Sequence, residues 1–146
     1  MRRPTICLAL LALATAPLHA QVTADSSGIR AAALDYIDGW WSGDADRMTR
    51  ALHPELAKRI LATDQSGAQR LNNMTAAQLI SGTRAGGGKT TPAAERKSEV
   101  RILDIFGNAA TARVDAGTWI DYLHLVKAGG RWQIVNVLWE MRPPRG

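Results

Sequence analysis

The stretch Gly117-Thr-Trp-Ile-Asp-Tyr-Leu-His-Leu-Val-Lys127, followed by Ala128-Gly-Gly-Arg131 and then Trp132-Gln-Ile-Val-Asn-Val-Leu-Trp139, decides the architecture of this chain. Its two arms are rich in β-branched and aromatic residues, which suit a pleated strand. Gly129-Gly130 between them supplies the positive φ angles of a tight primed turn, so the arms fold back on each other as an antiparallel hairpin. Pairing Ala128 with Arg131 predicts Tyr122 opposite Val137, His124 opposite Val135 and Ile120 opposite Trp139. That register puts Tyr122, His124 and Trp139 on one face. Both faces of the hairpin are largely apolar, so both need cover: helices or a partner subunit on one, a closing cone of chain or a ligand on the other.

Upstream, strands are expected over Glu99 to Ile105 and Ala109 to Asp115, joined by a turn at Phe106-Gly107-Asn108. Before Ser98 the pattern is helical. Ile29, Ala33, Tyr36, Ile37 and Trp40 recur at spacings of three and four and form one apolar stripe, with Ser26 or Ser27 as cap and Gly43 as terminator. Asp44 suits the cap of a second, short helix running through Met48 to Leu52 and stopped by Pro54. Leu56 to Leu61 reads either as a short strand or as the tail of that helix. Thr75-Ala-Ala-Gln78 fits a capping box, which predicts a third helix from Ala76 to Arg84, broken by Gly86-Gly87-Gly88. Lys89 to Arg96 reads as a loop. Helices first and an antiparallel meander afterwards make an α+β protein, its helices packed on one side of a curved sheet.

The first twenty residues stand apart. Arg2-Arg3 is a short positive segment, Ile6 to Ala16 an apolar run too short to cross a bilayer, and Leu18-His19-Ala20 before Gln21 a small-residue cleavage site. The expected organisation is a signal peptide over 1–20, a polar linker over 21–27 and a single domain over 28–142, in a bacterial protein that is periplasmic or secreted and has no stable membrane insertion after cleavage. Of the 146 residues, 126 remain without this leader, enough for one substantial core. The only cysteine, Cys7, leaves with the leader, so no disulfide is available and stability rests on packing. Loss of Arg2 and Arg3 lowers the formal charge from +5 to +3. The remaining basic residues are dispersed pairs and singles without a stripe, which argues against nucleic-acid binding.

Tyr36-Ile-Asp-Gly-Trp-Trp-Ser-Gly-Asp44, Leu52-His-Pro-Glu-Leu56, Val114-Asp115, Asp121-Tyr-Leu-His-Leu125 and Gly130-Arg-Trp-Gln-Ile-Val-Asn-Val-Leu-Trp139, in that order, resemble the nuclear transport factor 2-like superfamily. Within it they look most like the bacterial branch called putative lumazine-binding proteins. The resemblance spans nearly the whole chain after the leader. It implies a cone-shaped α+β fold, a pocket between the long first helix and the concave face of the sheet, and frequent dimerisation through the sheet. It implies no single activity, because the superfamily includes isomerases, dehydratases, epoxide hydrolases and catalytically silent domains.

The candidate ligand-binding residues are Tyr36, Trp40, His53, Tyr122, His124 and Trp139. With Tyr122 and His124 on the concave face, the imidazole is a candidate general base and the phenol a group that polarises a carbonyl. Scytalone-dehydratase-like members of the superfamily use His, Tyr and Asp in this way, and the match here is one of residue kinds. Plainer roles compete. Tyr36 and Trp40 lie on a helical stripe that ordinary core packing explains, and His53, before a proline at a helix end, suits a backbone hydrogen bond. Asp121 shares its face with Leu123 and Leu125 and needs a partner such as an Arg, or a place at the rim.

Two motifs are set aside. Gly88-Lys89-Thr90 imitates the end of a phosphate-binding loop, but Thr83 stands where the motif needs glycine. Asn73-Met74-Thr75 is a glycosylation sequon without weight in a bacterial protein. No ligand cluster for a metal is spaced along the chain, and no cofactor is expected. The function expected is binding of a small planar or apolar ligand in an aromatic-lined pocket of a homodimer. The alternatives are a cofactor-free lyase, isomerase or hydrolase using His124 with Tyr122, and a protein-interaction module acting through its sheet face.

Overall fold

The structure, a computed structural model, describes residues 18–143. All but the last three positions of the expected leader lie outside the described residues. Three α-helices pack on a six-stranded mixed sheet, in the order α1 (Leu18–Ser42), α2 (Ala45–Ala51), β1 (Leu52–Thr63), β2 (Gln69–Thr75), α3 (Ala76–Arg84), β3 (Glu99–Phe106), β4 (Ala109–Asp115), β5 (Trp119–Ala128) and β6 (Arg131–Met141). The sheet order is β2-β1-β6-β5-β4-β3. The α+β expectation holds, but the sheet is not a pure meander: β1 runs parallel to β6 and antiparallel to β2. The ambiguous segment Leu56 to Leu61 is strand, and β2, which carries no buried residue, completes a hairpin the sequence pattern did not announce.

The helix signals act locally as expected. Asp44 accepts from the backbone N–H groups of Asp46 and Arg47 at the start of α2, and Thr75 with Gln78 forms the capping box of α3. On α1, Ile29, Ala33, Tyr36 and Ile37 are buried against Val114, Leu123, Leu125, Ile134 and Val137 of the sheet.

The polar segment 21–27 is not a linker. It continues α1, because Asp25 anchors it to the sheet by accepting from Lys127 Nζ (2.6 Å) and Trp132 Nε1 (3.0 Å) as well as from Gln21 Nε2 (2.9 Å). Ser27, one of the expected caps, instead donates to the Thr23 carbonyl at 2.9 Å. Trp132 also lies so close to α1 that a Cβ on Gly28 would stand 2.7 Å from its ring.

The β5–β6 hairpin turns at Gly129 and Gly130, with φ of +57° and +77°. Ala128 pairs with Arg131 as expected, and the ladder keeps that register to Leu125 opposite Ile134. Val135 is then an extra residue, a β-bulge, and beyond it His124 faces Asn136, Tyr122 faces Leu138, Asp121 faces Trp139 and Ile120 faces Glu140. The expected partners Val137, Val135 and Trp139 for Tyr122, His124 and Ile120 are each off by one.

Candidate functional site

The shift of register decides what lines the cone. Asp121, Leu123 and Leu125 point inward and are buried, whereas Tyr122 is 47% exposed and His124 is exposed on the outer face. Trp139 stays inside, now beside Asp121. The six candidate residues therefore separate. Tyr36, Trp40 and Trp139 line a common cavity; Tyr122 and His124 lie on the far side of the sheet, where His124 Nδ1 is 3.3 Å from Asn136 Nδ2. His53, at the start of β1, accepts from the Glu55 backbone N–H at 3.2 Å and does not line the cavity.

The cavity has a volume of about 340 Å³. Tyr36 and Trp40 of α1, Met48 of α2, Leu79 of α3, and Trp119 and Trp139 of the sheet form its apolar wall. Gly87, after α3, closes one side, and Gly88 packs beside it on α1. A Cβ on Gly87 would stand 2.5 Å from the Trp40 ring, and one on Gly88 would collide with the Trp40 carbonyl oxygen. The segment that imitates a phosphate loop is thus a close-packing device against α1. Trp119 bridges to both neighbours, its ring centroid 4.9 Å from that of Trp41 and 6.4 Å from that of Trp139.

The floor is polar and buried. Lys58, on the inward face of β1, donates to Asp121 Oδ1 at 2.7 Å and to the Tyr36 hydroxyl at 2.5 Å. Trp119 Nε1 donates to the other carboxylate oxygen at 2.8 Å. Asp121 is fully enclosed and Lys58 is 8% exposed, its ammonium 4.8 Å from the centre of the Trp139 ring and 5.3 Å from that of Tyr36. Burial pushes the Lys58 ammonium below the ordinary lysine range, with Asp121 opposing. Burial, and after it the Asp121 charge, push the Tyr36 phenol well above its usual value, so it stays protonated. The partner that Asp121 requires is a lysine 63 residues earlier in the chain.

Lys58 and Trp119 are the residues that sequence reasoning missed. Trp119 was readable as part of an inward series with Asp121, Leu123 and Leu125. Lys58 carried no signal beyond its place in a segment that reads equally as helix or strand. Among the described residues, no group of three or more His, Cys, Asp or Glu side chains is arranged to hold a metal ion, and no helix is long and apolar enough to cross a membrane.

The family model for putative lumazine-binding proteins matches residues 24–140, which takes in α1 through β6 with the floor and walls of the cavity. The chain belongs to this family. Solved structures show the same nuclear transport factor 2-like fold. A protein of unknown function from Methylobacillus flagellatus KT is 25% identical, with a TM-score of 0.61 over 82% of this chain and 93% of that one. Another of unknown function, from Shewanella baltica OS155, is 18% identical, with a TM-score of 0.60 over 89% of this chain and all of that one. A third, from Novosphingobium aromaticivorans, has a cystatin-like fold and is 16% identical, with a TM-score of 0.56 over 84% and 85% of the two chains. No curated protein matches the chain.

Proposed function

We propose that this protein binds a small, flat, largely apolar molecule in the cavity between α1 and the sheet, and that it does so as an exported domain. One observation carries the reading: four aromatic side chains, Tyr36, Trp40, Trp119 and Trp139, surround a cavity of about 340 Å³ whose only charged group, among the described residues, is a buried, internally paired lysine. Such a site resembles ordinary small-ligand pockets, which are mostly apolar with a few placed polar groups. Membership of the family supports a small-molecule ligand without naming it. Binding acts through ring stacking on tryptophan, while the paired floor fixes orientation. Titration of a bicyclic aromatic probe should quench tryptophan fluorescence of the wild-type protein and leave Trp139→Ala much less responsive. Equal quenching in the two proteins, or none in either, would exclude the cavity as the binding site.

A specific observation also supports a homodimer. The outer face of the sheet exposes Leu61, Leu71, Tyr122 and Leu138 at 46%, 60%, 47% and 51%, with Arg59, Arg113 and His124 around them. A second copy covering this face would bury an apolar centre within a polar rim. Tyr122 and His124 then serve assembly, and their presence on this face removes the basis for a His124-centred reaction inside the cavity.

A further inference from the structure

The floor of the cavity can be read as an inventory of donors and acceptors. Asp121 has both carboxylate oxygens engaged, by Lys58 and by Trp119, and none of its surface is open. The Tyr36 hydroxyl already accepts from Lys58 and is hydrogen-bonded to Asp121, and the residue is 3% exposed. Lys58 carries three N–H donors. Two are taken by Asp121 and Tyr36, and the third has no protein hydrogen-bond acceptor among the described residues, only the Trp139 ring, whose centre is 4.8 Å from the ammonium. The floor therefore offers a ligand one strong donor and no reachable acceptor. A ligand atom placed there has to be an acceptor, because a donor would be stranded against the ammonium.

Charge narrows the class further. Lys58 and Asp121 form a pair that is neutral as a unit, at 2.7 Å and buried. An anion arriving at this floor gives up its hydration and also meets the Asp121 charge behind the ammonium. A neutral oxygen acceptor loses far less water for the same hydrogen bond. The walls, in turn, are mostly ring faces and thioethers, as at Trp40, Trp139, Met48 and Met141, with Thr91 and Thr118 the two hydroxyl-bearing residues among them.

We infer that the ligand of this cavity is an uncharged flat ring system bearing a carbonyl group, and that Lys58 donates to that carbonyl oxygen. This rests on the small-molecule reading of the cavity given above and specifies the chemistry of its ligand.

Three matched bicyclic probes test it on the full chain by calorimetry and tryptophan fluorescence: 2-acetylnaphthalene, 2-ethylnaphthalene and 2-naphthoate. The ketone should bind about tenfold more tightly than the hydrocarbon, as expected for a hydrogen bond to a charged donor, and the carboxylate no more tightly than the hydrocarbon. In Lys58→Met/Asp121→Asn, where the new amide oxygen still accepts from Trp119, the ketone's advantage over the hydrocarbon should fall to within about twofold. An infrared readout needs no variant. The carbonyl band of 13C-labelled ketone bound to the wild-type protein should lie at or below its position in water. A band at its alkane position would overturn the assignment, as would equal affinity for ketone and hydrocarbon, a ketone preference that survives in the double variant, or tightest binding by the carboxylate. Equal binding of ketone and hydrocarbon removes the carbonyl assignment alone; binding of none of the three removes the small-molecule reading with it.

Discussion

Lys58 of β1 and Asp121 of β5 are 63 residues apart in the chain and 2.7 Å apart in space, and the carboxylate is fully enclosed. Neither charge is tolerable there without the other. Asp121→Leu leaves a buried ammonium unpaired and should lower stability by about 3–5 kcal/mol. Lys58→Met/Asp121→Asn removes the charges together and should cost clearly less than that. Urea denaturation of the three proteins measures both effects, and a double variant as unstable as Asp121→Leu would mean that packing around the pair, rather than charge, dominates.

Acid stability should depend on Asp25. Hydrogen bonds from Gln21, then Lys127, then Trp132 lower its pKa to about 2 from an ordinary 3.8. A carboxylate depressed in this way contributes stability that is present above its unfolded value and is lost as pH falls through the folded one. Asp35 and Asp115 are shifted in the same direction. Between about pH 5 and pH 2 the wild-type protein should therefore lose stability, and Asp25→Asn should lose less over the same interval while starting lower. Parallel pH profiles from thermal melts would refute the assignment.

Export can be checked through the same cluster. A mature chain beginning at Gln21 retains the Gln21 to Asp25 hydrogen bond and every contact of Asp25. Mass spectrometry of protein recovered from periplasm or medium should find a terminus at or near Gln21. An intact Met1 terminus there would end the export reading. A truncation beginning at Gly28 lacks the cluster and should melt earlier than the natural product.

Gly88→Ala puts a methyl group into the Trp40 carbonyl oxygen. The turn after α3 has to move, and overpacking of this kind costs about 1–3 kcal/mol. Because Trp40 and Gly87 share the cavity wall, ligand affinity should fall together with melting temperature. An unchanged affinity in a destabilised Gly88→Ala protein would show that this wall does not touch the ligand.

The outer sheet face should govern assembly and leave binding alone. Sedimentation at micromolar concentration is expected to give a dimer, and Tyr122→Glu/Leu138→Glu a monomer with the same ligand affinity. His124→Ala should likewise leave affinity unchanged. A wild-type monomer would remove the dimer reading, and loss of ligand binding in His124→Ala would contradict its outward placement.

The fold was legible because local rules governed most of it. Gly129-Gly130 set the hairpin, Asp44 and Thr75 set two helix starts, and the stripe from Ile29 to Ile37 set the buried face of α1. The half of the site on α1 followed from that stripe. The sheet half did not, because parity propagates: counting from the turn makes one unrecognised extra residue exchange inside for outside along the rest of a strand. Two features nonetheless pointed to it. Leu123 and Leu125 made the face of Asp121 the apolar one, and the step from Ile134 to Val137 in an otherwise two-residue repeat marks the bulge. The β1–β6 pairing, which delivers Lys58, is non-local, and no short-range pattern encodes it.

Val135 is, in effect, a half-step in a screw thread. Had the alternation of Trp132 and Ile134 run on without it, β6 would have turned Asn136, Leu138 and Glu140 toward the helices and Trp139 and Met141 toward solvent. The cone would then have held an acid and an amide in place of an indole and a thioether. The chemical character of the chamber thus hangs on the bulge at one residue as much as on which residues compose it. In chains built on this plan, whether that one residue bulges or joins the regular alternation decides between an oily interior and a wet one while every side chain stays the same.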